Sequence, residues 1–311
     1  MISISPKYKD RRYEFAQRFD SIARGRGIAP DILLNRDFTV RSEALATHTP
    51  SGSSGNAKGC TLIVPGLLGN SVRALVAPLL CARERLAVKG YDIIVAWVSG
   101  RSGCDHNAQL LRQRVLEAAN RTGKAVDLIG YSKGCADSLH MLANYSDTHE
   151  AVKSLTSYAG IVAGTELASG VSPWVETLLR YLPIPGESMG DGRAIADLKS
   201  EFRTRWLSEN TLPAHIRLCS VAAAPSPQMV SKVLRSSYRL LAQTDPANDS
   251  QVIYDDTFLP ESEILAVVNA DHWAIALPIA EKHQYLSKLL IDKNLFPRDV
   301  LLQAIIDYLA D

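Results

Sequence analysis

Residues 125–129 form a short apolar run that breaks at Gly130 and Ser132 and then continues with helical spacing. Leu139, Met141 and Leu142 mark the apolar face of that helix, with Ala136 and Ala143 as small neighbours. The embedded pattern Gly130-x-Ser132-x-Gly134 has the spacing of a nucleophile elbow. A serine held in a sharp strand-to-helix turn exposes its hydroxyl at the carboxyl end of the strand. The residues two positions to either side must then lack side chains that would collide, which is what glycine provides. Such a pentapeptide also arises by chance; its place at a strand-to-helix switch is what makes Ser132 a candidate nucleophile.

A hydroxyl is a weak nucleophile until a base takes its proton, so the chemistry requires a histidine. Seven are present. His48, His149 and His283 stand in polar surroundings, His140 lies on the elbow helix beyond its first turn, His106 opens another helix, and His215 begins a strand. His272 directly follows the apolar run 264–268, which puts it past the carboxyl end of a late strand, the edge that also carries Ser132. A carboxylate must orient the imidazole and support its charged form. Asp245, Asp249, Asp255, Asp256, Glu261 and Glu263 lie in the interval where it is expected, and Asp249, in a loop before an extended piece, is favoured over Asp256 and Asp255. Asp271 is adjacent to His272, but neighbouring strand-end residues point apart. For a developing oxyanion, the helix start after Ser132 offers the backbone N–H of Lys133. The small-residue turn 64–70 after an earlier strand offers that of Leu67.

These groups need a scaffold that brings distant positions to one edge. Strand-like runs are expected at 61–64, 91–98, 125–129, 152–158, 215–222 and 264–268, with helical patterns between several of them, at 107–120 and from Ser132 on. That alternation predicts an α/β chain with a mostly parallel sheet covered on both faces. A closing amphipathic helix is expected at 298–310. Residues 1–58 read as an N-terminal helix, with Tyr13, Phe15, Phe19 and Ile22 inward, and short extended pieces at 31–35 and 38–40, packed on a core formed by 59–164 and 214–311. The stretch 165–213 is too long for an ordinary connection and carries two helical patterns, one with Trp174 and Leu178, the other with Ile195, Leu198, Phe202 and Trp206. It is either an extra structural helix pair or a helical cap over the site, and residues 228–241 form a further helical piece beside it.

Composition narrows the function. The chain of 311 residues is 46% hydrophobic, and 34 basic against 33 acidic residues leave a formal charge of +1, which gives no field to attract nucleic acid. No apolar run approaches the roughly 20 residues of a membrane span, and the start 1–6 lacks the basic segment of a signal peptide. Five cysteines without Cys-x-x-Cys spacing read as buried thiols in a reducing compartment, hence a cytoplasmic expectation with no metal.

Taken in order, the motifs resemble the α/β-hydrolase superfamily, and within it bacterial lipases and esterases and the PGAP-type lipases. The resemblance rests on Pro65-Gly66-Leu67, Gly130-Tyr131-Ser132-Lys133-Gly134, Gly164-Thr165-Glu166-Leu167-Ala168 and Asn248-Asp249-Ser250-Gln251-Val252, and spans residues 60–280. The order Ser132, Asp249, His272 is that superfamily's nucleophile, acid, base order. Three positions depart from its pattern: Pro65 and Tyr131 stand where histidines are usual, and Ser250 where glycine is. The resemblance implies a serine hydrolase of small-molecule carboxylic esters that works through an acyl-enzyme without metal or organic cofactor. Leu68, Tyr131, Trp174 and Leu178 would line the substrate site, and the apolar cap positions favour a medium or long acyl chain. A thioesterase, an acyltransferase or a non-catalytic binding protein could use the same scaffold.

Overall fold

The computed structural model describes residues 4–29, 34, 59–67, 79–171, 189–279, 285 and 296–311. Its centre is one sheet of seven strands: β1 (Lys9–Asp10), β2 (Cys60–Val64), β3 (Asp92–Val95), β4 (Val126–Tyr131), β5 (Val152–Tyr158), β6 (Arg217–Ala223) and β7 (Glu263–Val268). The spatial order is β1-β7-β6-β5-β4-β2-β3, and every paired neighbour is parallel. All carboxyl ends therefore open on one rim.

Among the described residues the helices are α1 (Arg12–Arg24), α2 (Leu80–Ala87), α3 (Cys104–Thr122), α4 (Lys133–Asn144), α5 (Glu166–Ser169), α6 (Ser200–Glu209), α7 (Arg235–Leu241) and α8 (Arg298–Ala310). They cover both faces of the sheet. Ile63, Ile129 and Leu265 point to one face, where Phe15 and Phe19 of α1, Leu86 of α2 and Val300 and Ile305 of α8 pack. Leu62, Val64 and Leu128, one residue out of step, point to the other, against Leu111 and Val115 of α3 and Leu139 of α4. Burial on both sides is why these strands read as unbroken apolar runs rather than as an alternation.

The expected strands and the closing helix occur, with ends shifted by a few residues. The expected strand over 91–98 is ordered as a strand only at Asp92–Val95, and the helix expected over 107–120 starts at Cys104. The piece 228–241 is not one helix: two short 3-10 turns, Pro227–Met229 and Lys232–Leu234, precede α7. The reason is at Ser231, whose N–H donates to the Asp271 carboxylate at 2.7 Å and turns the chain away from a helical path. At the N-terminus the expected helix is present, but a two-residue strand precedes it and pairs with β7 at the sheet edge. Of the expected pieces at 31–35 and 38–40, only Leu34 is described, bridging Val268, and the rest lie outside the described residues. So does the first helical pattern of 165–213, with Trp174 and Leu178; the second is split at Lys199, with Leu198 in a 3-10 turn, Ala196–Leu198, and only Phe202 and Trp206 in α6.

Helix α1 lies between β7 and α8, with Phe15, Phe19 and Ala23 fully buried. Arg26, just past α1, and Arg85 of α2 both pair with Asp299 at the start of α8. Helix α1 thus packs into the same apolar cluster as α8. Phe19→Ala should lower the unfolding free energy by about 3–5 kcal/mol, the usual range for emptying a buried phenylalanine site; urea denaturation followed by tryptophan fluorescence reads it.

Candidate active site

Ser132 links β4 to α4 with φ 55° and ψ −128°, a region that residues with a Cβ rarely enter. Neighbours without side chains make that turn possible. A Cβ on Gly134 would lie 2.2 Å from the Val64 carbonyl oxygen, and one on Gly66 would lie 2.6 Å from the Ser132 Cβ. The turn is held from the far side as well, where the Ser132 carbonyl accepts from Ile161 N at 3.0 Å and Cys135 N at 3.1 Å.

His272 follows β7 in a turn organised by Asp271. One Asp271 oxygen accepts from Trp273 N and Ala274 N, and the other from Ser231 N. The imidazole bridges two side chains. Nε2 lies 2.9 Å from Ser132 Oγ and Nδ1 lies 2.7 Å from Asp249 Oδ2. Because a carboxylate only accepts, Nδ1 carries the proton and Nε2 presents its lone pair to the serine hydroxyl. All three side chains are buried.

The acid loop is equally fixed. Asp249 Oδ1 accepts from Gln251 N at 2.8 Å and Val252 N at 2.9 Å, which leaves Oδ2 for the imidazole. The Asp249 carbonyl also accepts the His272 N–H at 2.9 Å, so backbone and side chain join the two loops side by side. Ser250, at the position where a glycine is usual, has φ 83°, the left-handed conformation that explains the usual glycine. The other acids of the interval lie elsewhere. Asp255 and Asp256 sit in a 3-10 turn, and Glu263 pairs with Arg217 at the amino end of β7. Burial, then Asp255 and Glu166, push the Asp256 carboxyl up to about 6.

Tyr131, expected to line the substrate site, is buried, and its hydroxyl donates to the His272 carbonyl at 2.7 Å, with the phenol ring 5.1 Å from the imidazole. Where a histidine is usual, this chain has a brace for its own histidine. Leu67 is half-buried at the edge of an apolar cluster with Ala136, Ile161, Ala168, Leu198 and Val252, next to Gly66 and hence to Ser132. The Lys133 side chain points away from solvent and pairs with Asp137. Leu68, Trp174 and Leu178 lie outside the described residues. A cavity of about 460 Å³ lined by Trp206, Pro213, His215 and Glu263 opens at the amino ends of β6 and β7, on the edge opposite the serine.

Serine, aspartate and histidine thus follow one another along the chain on loops of a single rim, the arrangement that defines the α/β-hydrolase superfamily, and the chain belongs to it. It is similar to a metagenomic carboxyl esterase, MGS0156, at 30% identity over 99% of this chain and 96% of that one, with a TM-score of 0.89. Mature lipase BlEst2 of Bacillus licheniformis is 20% identical over 78% and 94%, with a TM-score of 0.58. EstA of Clostridium botulinum is 12% identical over 95% and 97%, at 0.52. These last two likenesses concern the fold alone. No protein-family model and no curated protein matches the chain.

One group that the sequence left without a role stands out near the site. His140, on the buried side of α4, has Nδ1 2.7 Å from Asp105 Oδ1, accepts at Nε2 from Arg203 Nη1 at 2.8 Å, and stacks on Trp206 with ring centroids 4.3 Å apart. Burial above all, with Arg203 adding, brings the imidazole down to about 4 from an ordinary 6.5. The unfolded chain therefore takes up this proton near pH 6.5 and the folded chain only near pH 4, so folded stability is lost as the pH falls through that window. Asp256, protonating near 6 in the folded chain, works in the opposite sense. The comparison must accordingly be between chains that differ only at position 140. From pH 7 to pH 4 the parent should lose roughly 3 kcal/mol more stability than His140→Gln, measured by denaturant titration at each pH.

Proposed function

We propose that this chain is a serine hydrolase that cleaves carboxylic esters through an acyl-enzyme on Ser132. The single observation that carries the proposal is the His272 imidazole, hydrogen-bonded at one nitrogen to the Ser132 hydroxyl and at the other to the Asp249 carboxylate. The likeness to a carboxyl esterase over nearly the whole chain points the same way.

Each step follows from a named atom. Ser132 Oγ attacks the carbonyl carbon as its proton passes to His272 Nε2, and Asp249 stabilises the imidazolium through Nδ1–H. The carbonyl oxygen, now negative, accepts from the backbone N–H of Lys133 at the start of α4 and of Leu67 in the turn beside Ser132. The tetrahedral intermediate collapses, the C–O bond to the alcohol breaks, and Nε2 protonates the departing oxygen. Water then repeats the sequence on the acyl-enzyme, giving up its proton to Nε2, and the acid leaves with Ser132 restored. Nothing in this cycle calls on a metal or an organic cofactor.

An apolar acyl chain is supported by the cluster of Leu67, Ile161, Ala168 and Val252 beside the nucleophile, with Leu68, Trp174 and Leu178 proposed to extend it. Residues 59–164 and 214–311 would form the catalytic core and 165–213 an insertion over it, with 1–58 packed on the core. The five cysteines, all free and all buried, fit a reducing, cytoplasmic setting. Among the described residues no helix is long and apolar enough to cross a membrane.

The test is a panel of p-nitrophenyl esters of graded chain length together with a fluorophosphonate probe. The parent should turn over the panel and carry one adduct, on Ser132. Ser132→Ala should lose both. Asp249→Asn should lower kcat by roughly 10³- to 10⁴-fold while Asp256→Asn stays near the parent. A parent that takes no adduct and cleaves no ester would leave a binding protein as the better account, and faster cleavage of a matching acyl thioester would move the assignment to a thioesterase.

A further inference from the structure

Helix α4 begins with a charge pair that the acyl-transfer chemistry does not call for. Lys133, the residue after the nucleophile, is 1% exposed along its side chain, and so is its partner Asp137. Lys133 Nζ donates to Asp137 Oδ1 at 2.5 Å, across the first turn of the helix. Asp137 Oδ2 accepts from Asn107 Nδ2 of α3 at 2.9 Å, and the same amide group donates to the Ser99 carbonyl, beyond β3, at 2.9 Å. Burial works against the charge on Lys133, but Asp137, with Cys104 and Asp197 adding, offsets it, so its ammonium is held above the ordinary lysine range.

Stability does not account for such a pair. Removing two charges from water costs several kcal/mol each, and a buried ion pair is often no more stable than apolar residues of the same volume. Its geometry suggests another use. The first turn of a helix carries N–H groups without intrahelical partners, and here the first of them is the N–H assigned to the oxyanion. That turn is pressed on one side against the Val64 and Pro65 carbonyls, as the close approach at Gly134 requires. Val64 and Pro65 lead directly into Gly66 and Leu67, the second donor. On the other side the turn is held by Asp137, Asn107 and Ser99. At the same corner the start of α3 is capped from the far end of the insertion, where Asp197 accepts from Cys104 N at 2.7 Å and Asp191 from Gly103 N at 2.9 Å.

Resting on the hydrolase assignment above, we propose that the buried Lys133–Asp137–Asn107 chain is a positioning device that clamps the first turn of α4 and sets the aim of the Lys133 N–H at the oxyanion. The three side chains are positioning residues; none touches the reacting atoms. The clamp acts on the transition state, because the ground-state carbonyl oxygen does not occupy the place where the oxyanion forms.

The test is Lys133→Met/Asp137→Leu, which removes both charges, keeps the volume and leaves the backbone N–H in place. Melting and circular dichroism report the fold, and ester hydrolysis gives kcat and KM separately. The folded double variant should keep KM within about twofold and lose about 10- to 100-fold in kcat and in the rate of fluorophosphonate labelling, the range expected when a donor is misaimed rather than removed. Asn107→Ala, which leaves the ion pair and removes its anchor, should fold and show a smaller loss of the same kind, about three- to tenfold. A folded double variant with kcat within twofold of the parent overturns the proposal; should that variant not fold, an unchanged kcat in Asn107→Ala does so. A parent inert to esters and probe overturns the hydrolase assignment and this proposal together, an outcome distinct from an active parent beside an unaffected variant.

Discussion

The backbone of Ser132 is the constraint on which the rest of the site depends. A residue with a Cβ held at positive φ in a sparsely populated region costs about 1–3 kcal/mol and persists only where its surroundings leave no alternative. Here they leave none. β4 fixes the chain before the serine, α4 fixes it after, and the Ser132 carbonyl accepts two backbone N–H groups. Glycine at 130, 134 and 66 lets three backbones meet where side chains would collide: a Cβ on Gly130 would lie 2.5 Å from Cys135 Cα. The same crowding that strains the serine brings the β2 turn beside it.

Parallel strand order does the next part of the work. With every strand paired in parallel, the loops after β2, β4, β5, β6 and β7 open on one rim, and residues more than 100 positions apart in sequence meet there without any long-range device. What remains is local aim. His272 is held at its N–H by the Asp249 carbonyl, at its carbonyl by the Tyr131 hydroxyl and at Nδ1 by the Asp249 side chain. With backbone and ring both fixed, little rotamer freedom is left to the imidazole.

The parts legible in sequence were those whose signal is local or repeated. Buried strands read as apolar runs because both faces are covered. The elbow was legible because its glycines are required by sterics, and His272 because it follows a strand directly. Asp249 could only be ranked ahead of Asp256 and Asp255, since three carboxylates in one loop region carry no mark of which one faces an imidazole. The strand Lys9–Asp10 was illegible: it is exposed and charged, and it is a strand only because β7 offers it an edge. The break at Ser231 was hidden for a similar reason, its partner Asp271 being 40 residues away. Tyr131 gave a substitution without a purpose until its hydroxyl was seen on His272.

Lys133 and Asp137 are the instructive miss. A lysine and an aspartate four apart on a helix ordinarily read as a solvent-facing pair worth a few tenths of a kcal/mol. They are buried because α4 is enclosed by the sheet, by α3 and by α6, a property of topology that no window of sequence contains. Once enclosed, every polar group on the helix needs a partner within the protein. Asp137 finds Asn107 on α3, and His140 finds Asp105 on α3 and Arg203 on α6, while Ser138 turns back to the Gly134 carbonyl. Apolar contacts tolerate small slips along a helix axis, whereas a buried hydrogen bond broken by such a slip leaves a desolvated charge or dipole behind. A polar lining on the helix that follows Ser132 therefore fixes its register against α3 and α6. The register of α4 in turn sets where its first N–H stands relative to the serine hydroxyl.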